Sequence, residues 1–203
     1  MLTINPSNLT ERENYKFLIG SIIPRPIAFV TSINEEGVVN AAPFSFFNIV
    51  SSNPPLISVS VQRKAGEMKD TARNITANKE FVVHVVSEPF VAQINETAAN
   101  LPPNESELTR ANLTAIESTF VKVPGVKEAK VRFECKLEKH LPLGGNDEAV
   151  GCDLLIGRVV AYHIDEAIYE DGKIDLDGLA AMSRLAGNDY ANVGKVTTIE
   201  RPQ

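Results

Sequence analysis

The sequence has no tryptophan, and only two cysteines, three methionines and three histidines among 203 residues. Cys135 and Cys152 fall in no Cys-x-x-Cys and in no metal-like spacing, so they read as free thiols of a reducing compartment. His84, His140 and His163 are too scattered for a zinc site, and no His-Glu-x-x-His occurs. His84, flanked by valines in a strand-like run, reads as a satisfied core or interface histidine. No Gly-x-Gly-x-x-Gly follows the first strand, which disfavours a Rossmann fold, and there is no P-loop and no Gly-x-Ser-x-Gly elbow. No apolar run approaches the ~20 residues of a membrane span. Met1-Leu-Thr-Ile-Asn-Pro6 has neither the basic nor the apolar region of a secretion signal. A cytoplasmic protein is therefore expected, and the Asn-x-Ser/Thr triplets at Asn8, Asn74, Asn95, Asn104 and Asn112 read as coincidence.

A block of charge of one sign is missing too. The net charge of −6 comes from 26 acidic and 20 basic residues interspersed along the chain, which gives no reason to expect nucleic acid or an anionic membrane as partner. A local positive cluster in such a chain points to a specific anion. The apolar fraction of 43% and charged fraction of 23% are ordinary for a globular protein, and the length suits one domain, 1–203. With no nucleophile or metal constellation present, any chemistry falls to a bound cofactor.

What is present is a succession of short strands and short helices. Thr10-Glu-Arg-Glu13 is a capping box, predicting a helix to about Ile19 that Gly20 stops. Pro24-Arg25-Pro26 forces extended backbone, and strands are expected at 27–33 and, after an Asn34–Gly37 turn, from Val38. Leu56-Ile-Ser-Val-Ser-Val61 alternates with the period of a half-buried strand. A helix over 69–78, a strand over 81–86 and a helix from Pro89 to about Ala98 follow, then a loop from Asn100 to Thr109. Later strands are expected near 118–123, 131–140 and 152–164, with Gly157 marking a bulge or close backbone approach. No long helix separates successive strands, so the pattern predicts a mainly β fold: a closed or nearly closed antiparallel barrel with peripheral helices.

Three segments could hold an aromatic phosphate ester. Asn40-Ala-Ala-Pro-Phe-Ser-Phe-Phe-Asn48 mixes aromatic walls with Ser45 and Asn48 as directional hydrogen-bonding groups. Ser58 to Arg63-Lys64 and on to Lys69-Asp70-Thr71 clusters cations where a strand leads to a helix start, the place where phosphate binds well. Ser183-Arg184-Leu-Ala-Gly187-Asn-Asp-Tyr190 offers an arginine and a tyrosine in a Gly-punctuated turn. Taken singly, each also reads as ordinary structure: a packed core loop, a solvated basic turn with Asp70 as helix cap, and a C-terminal turn.

Together with Ile23-Pro-Arg-Pro-Ile-Ala-Phe-Val-Thr-Ser32 and Phe133-Glu-Cys-Lys-Leu137, these segments make the chain resemble the flavin reductase-like family of FMN-binding split-barrel proteins, in the branch near flavoredoxin. The resemblance implies a Greek-key split barrel that dimerises, with FMN near the subunit interface. It assigns the isoalloxazine and ribityl contacts to Ser45, Phe46, Phe47 and Asn48. It assigns the phosphate to Ser60, Arg63, Lys64, Lys69 and Thr71, and places Arg184 near the flavin or nicotinamide. Ala186 and Asn112 stand where relatives often carry glycine, and Cys135 falls in a core strand motif. The implied activity is NAD(P)H-dependent reduction of FMN, with electrons passed to free flavin, a monooxygenase partner or another acceptor. Two alternatives stay open: an FMN-binding carrier, store or sensor without reductase activity, and a different ligand on the same fold, as in pyridoxamine-phosphate oxidase relatives or haem-handling split barrels.

Overall fold

The computed structural model describes residues 1–99, 101–102, 105–146 and 149–202. Helix α1, Glu11–Ser21, begins at the expected capping box: Thr10 Oγ1 accepts from the Glu13 amide at 3.3 Å, and Glu13 Oε2 accepts from the Thr10 amide at 2.8 Å. The helix runs through Gly20, because the Ile22 amide still reaches the Leu18 carbonyl at 2.9 Å.

Seven strands form the main sheet: β1 (Ala28–Ile33), β2 (Val39–Phe44), β3 (Phe47–Ser52), β4 (Pro55–Gln62), β5 (Glu80–Val85), β6 (Val131–Gly145) and β7 (Val150–Ile164). Their order is β2-β1-β5-β6-β7-β4-β3, and every neighbouring pair is antiparallel. Strands β2 and β3 lie at opposite edges, yet only Ser45 and Phe46 separate them in sequence. A flat sheet of this width would hold its edges about 29 Å apart, six gaps of ~4.8 Å. The three Cα–Cα steps from Phe44 to Phe47 span at most about 11 Å. The sheet must therefore roll up until its edges meet, and Ser45–Phe46 crosses the seam of a split barrel.

Period-two alternation then sorts the side chains into two cores. Val30, Ile57, Val59, Val61, Phe81 and Leu155 pack together as one. From the other face of β1, Phe29 joins Phe90, Ile94 and Leu108, which belong to the peripheral helices and turns. Packing on both faces leaves Ala28 to Ser32 of β1 all buried, as a buried strand requires. Gly157 sits at a register shift in β7, and a Cβ there would fall 2.3 Å from Phe81 Cζ, so the expected close approach is real. Helix α2 (Asp70–Asn78) packs against β1 and β2, and α3 (Val91–Glu96) and α4 (Glu107–Arg110) cover the second core. A small three-stranded sheet joins Arg25–Pro26 to Met182–Arg184 and Tyr190–Asn192.

Three expectations are corrected. Residues 118–123 are not a strand: the amides of Thr119, Phe120 and Val121 are bound by the Glu134 carboxylate instead of a neighbouring strand. The segment expected as a loop from Asn100 to Thr109 contains the start of α4, while Asn100, Pro103 and Asn104 lie outside the described residues. Asp70 does not cap α2; Lys69 occupies that position, and Asp70 pairs with Arg73 one turn on.

Candidate functional site

The seam is where the sequence-predicted residues converge. Along Pro43–Asn48 run three adjoining cavities of about 320, 180 and 350 Å³. The first is walled by Phe44, Lys64, Lys69 and Thr71 and shares Pro43, Phe44 and Ala98 with the second. The second is walled by Arg25, Ser45, Arg184 and Tyr190 and shares Arg25 and Ser45 with the third. The third holds Phe46, Phe47, Asn48 and Ser58 against Pro24 and Pro26. Eight of the ten predicted residues thus line this run of adjoining cavities, a groove across the barrel seam. Ser60 and Arg63 line none of the three.

At one end the groove is built for an anion. Lys69 stands at the N-cap of the nine-residue α2 with no side chain capping the first amides, so free N–H groups face outward there. Burial lowers the Lys69 ammonium from its ordinary pKa, and the nearby Lys64 charge lowers it further. Among the described residues neither lysine has a carboxylate in ion-pair distance. Thr71, buried in the first turn of α2, accepts a hydrogen bond from Asn40 Nδ2 at 2.8 Å. Lys69 at the helix N-terminus, with the exposed Lys64 close enough to repel it, forms a site that a phosphate dianion would neutralise.

Arg63 is placed differently from its expected role. Its Nε and Nη2 donate to Asp153 at 2.9 and 2.8 Å, and Nη1 donates to the Gly66 carbonyl at 3.3 Å. Asp153 is fully buried and also bonds His140 Nε2 at 2.8 Å. Burial opposes ionisation of Asp153, but the hydrogen bonds and charges of Arg63 and His140 outweigh it and hold the carboxyl below its ordinary value. The Arg63 fork therefore ties the turn at Lys64–Glu67 to the barrel instead of facing the cleft. Ser60 faces away from the core on β4, its hydroxyl accepting from Gln62 Nε2 at 3.2 Å, and its amide donates to the Phe46 carbonyl at 2.8 Å, which pins the seam crossing.

In the middle of the groove two arginines meet. Arg184 lies opposite Arg25 in the small sheet. The Arg184 guanidinium sits 4.5 Å from the centroid of the Tyr190 ring and donates to Tyr190 Oη and the Gly187 carbonyl, both at 2.6 Å. Arg25 is the residue that sequence reasoning missed. It is 6% exposed and donates to the carbonyls of Ile19, Ile22 and Leu185 at 2.7, 2.6 and 2.7 Å, with Ser45 Oγ at 3.5 Å. Burial lowers its pKa, and Arg184 acts in the same direction. Its positive charge is thus held at the seam by carbonyl dipoles, and among the described residues no carboxylate pairs with it. The only signal in the sequence was an arginine trapped between two prolines.

A family model for the flavin reductase like domain matches residues 19–178. The chain belongs to this family. It is 55% identical over 204 residues to the uncharacterized protein YwrF of Bacillus subtilis (strain 168), with 100% of both chains covered. The crystal structure of nitrilotriacetate monooxygenase component B from Bacillus cereus superimposes with a TM-score of 0.97 at 62% identity, covering 98% of each chain. The 2-nitrobenzoate 2-nitroreductase NbaA of Pseudomonas fluorescens gives 0.88 at 30% identity over 99% of this chain and 96% of that one. The split-barrel fold expected from the resemblance is the fold observed.

Four of the five segments that carried the resemblance border the groove of this flavin reductase-like chain. The fifth, Phe133–Leu137, lies in the barrel wall, where burial and the neighbouring Glu134 push the Cys135 thiol pKa up and leave it inert. A flavin nucleotide needs an anion site, a polar midsection and a planar apolar slot, and the groove offers these in that order. No helix among the described residues is long and apolar enough to cross a membrane, a fact that says nothing of strands.

Proposed function

We propose that this chain binds FMN along the seam groove and transfers hydride from NAD(P)H to it. One observation carries the reading: Lys64 and Lys69, with no ion-pair partner among the described residues, line a cavity at the start of α2 that adjoins those of the aromatic crossing at Ser45–Asn48. Lys64, Lys69 and the first amides of α2 hold the phosphate, with the Thr71 hydroxyl, oriented by Asn40, beside them. Phe46 and Phe47 wall the ring, and Ser45 and Asn48 offer it hydrogen bonds. Bound there, FMN supplies the hydride acceptor, so no side chain need act as a nucleophile. Arg25, which lines both the middle cavity and the aromatic one, and Arg184 in the middle cavity keep fixed positive charge beside the ring, which favours the negative charge that reduction adds. Arg63 acts through Asp153 on the lysine-bearing turn, and Ser60 through the backbone of Phe46.

The relative that is component B of a monooxygenase supports a monooxygenase partner as the electron acceptor. The exposed Ile22, Ile49 and Val50 at the outer side of the seam support a homodimer. The two free cysteines suit a reducing cytoplasm, and the whole of 1–203 acts as one domain.

The test is anaerobic addition of NADH, then NADPH, to the FMN-reconstituted protein. Bleaching of the flavin absorbance by either nucleotide is expected. Flavin bands that persist under both, yet bleach with dithionite, would overturn the reductase reading and leave an FMN carrier.

A further inference from the structure

A second cavity, of about 440 Å³, shares no lining residue with the seam groove. It opens where β6 begins and β7 ends, and Lys127, Lys130 and Arg132 converge on it from six consecutive positions of the chain. Arg132 occupies a distinctive place in the sheet. Its cross-strand neighbours are His84 in β5 and His163 in β7, so the three side chains form one row on one face. Its stem lies over Gly125, where a Cβ would stand 2.9 Å from Arg132 Cδ. The residue is thus seated by packing and does not depend on an ion pair.

Glu134 and His84, the acceptors nearest Arg132 in the sheet, are already engaged, and among the described residues Asp165 keeps one carboxylate oxygen without a hydrogen bond. Glu134, two residues on, receives the amides of Thr119, Phe120 and Val121 at 2.6, 2.6 and 3.2 Å, and His163 Nε2 at 2.6 Å. Asp165, the carboxylate on the cavity wall, accepts from the Ala167 amide at 3.0 Å. His84 bonds the Phe29 carbonyl through Nδ1 and accepts from the Val126 amide through Nε2, both at 2.8 Å, so it carries no free acceptor. Lys130 Nζ donates to the Gly178 carbonyl. Among the described residues, no acceptor lies within hydrogen-bond distance of the Arg132 guanidinium or the Lys127 ammonium. Burial also lowers the Arg132 pKa despite the nearby Glu134 charge, so the guanidinium has lost water without gaining a partner. Ile116, Ala129, Ile164 and the exposed Tyr162 also line the cavity.

We propose that this cavity binds a small organic oxyanion, a carboxylate or phosphate monoester, gripped by the Arg132 fork with Lys127 as a second charge. The planar guanidinium matches two oxygens of either group, and Ile116, Ile164 and Tyr162 offer apolar contact to a small organic body. The site is independent of the flavin groove, so its failure and that of the flavin reading are distinguishable.

The test is side-chain and backbone NMR of the FMN-saturated protein titrated with inorganic phosphate and, separately, with benzoate. Saturable shifts of the Arg132 Nε–H and of the Gly125 and Val126 amides are expected with at least one probe. Preference for one probe identifies whether phosphate or carboxylate is the natural group. Lys127→Ala, on an exposed residue outside both cores, is expected to weaken binding about threefold, and Arg132→Lys about tenfold, since it keeps charge and loses the fork. Shifts absent with both probes, or confined to Lys69 and Thr71, would overturn the proposal. So would binding that neither substitution alters.

Discussion

Asp153 and Glu134 are both fully buried carboxylates on adjacent barrel strands, and each is bonded to a histidine, at 2.8 and 2.6 Å. Their other partners differ. Glu134 gathers three consecutive backbone amides and so fixes the course of 119–121, which, with the residues that follow, packs Val121 and Val123 on Val82. Asp153 gathers the Arg63 fork, and through it the turn that carries Lys64 toward the groove. Burial pushes both carboxyls upward, yet hydrogen bonds hold both below their ordinary values. A carboxylate fed by amides shapes a loop; one fed by arginine also sets where positive charge remains free. With Arg63 paired to Asp153, the unpaired charge at the α2 end of the groove belongs, among the described residues, to Lys64 and Lys69.

Substituting the two carboxylates one at a time sharpens the contrast. Glu134→Ala leaves three amides unmatched and should cost about 4 kcal/mol in urea unfolding, with FMN affinity changed less than about threefold. His84, outside both networks, sets an independent reference. Its folded pKa is lowered to about 4 from 6.5, chiefly by burial. The unfolded chain therefore binds the extra proton between those values, so this stability is full above pH 6.5 and falls as pH drops toward 4. The loss is on the order of 3 kcal/mol. The carboxylates, lowered in the fold, give up their contribution only below their ordinary 3.8 and 4.5. A urea midpoint that stays flat from pH 7 to 5 would contradict the histidine account. Asp153→Asn should cost less stability, about 2 kcal/mol, but weaken FMN about tenfold, and equal FMN losses in the two variants would break the comparison.

Much of this was legible in the residues because it is local. The Thr10–Glu13 box, the period-two run at 56–61 and the Gly157 bulge each depend on neighbours within a few positions or on backbone permissiveness. The site segments at Asn40–Asn48 and Lys64–Thr71 were visible by composition. What escaped depends on partners distant in sequence. Arg63 meets its counter-ion 90 residues away, and Arg25 reaches a carbonyl 160 residues on. The missing strand at 118–123 fails for the same reason: its amides are claimed by Glu134, which no local propensity reports. The seam itself emerges only when the strand order shows that β2 and β3 are opposite edges.

The central claim is that Lys64 and Lys69 anchor a flavin phosphate at one end of the seam groove. Fluorescence titration of FMN into the protein and its Lys64→Ala/Lys69→Ala double variant tests it most directly, with riboflavin as the ligand that lacks the phosphate. The account predicts FMN affinity lowered about a hundredfold in the variant and riboflavin affinity unchanged. Equal FMN affinity in both proteins, or a parallel loss for riboflavin, would contradict it.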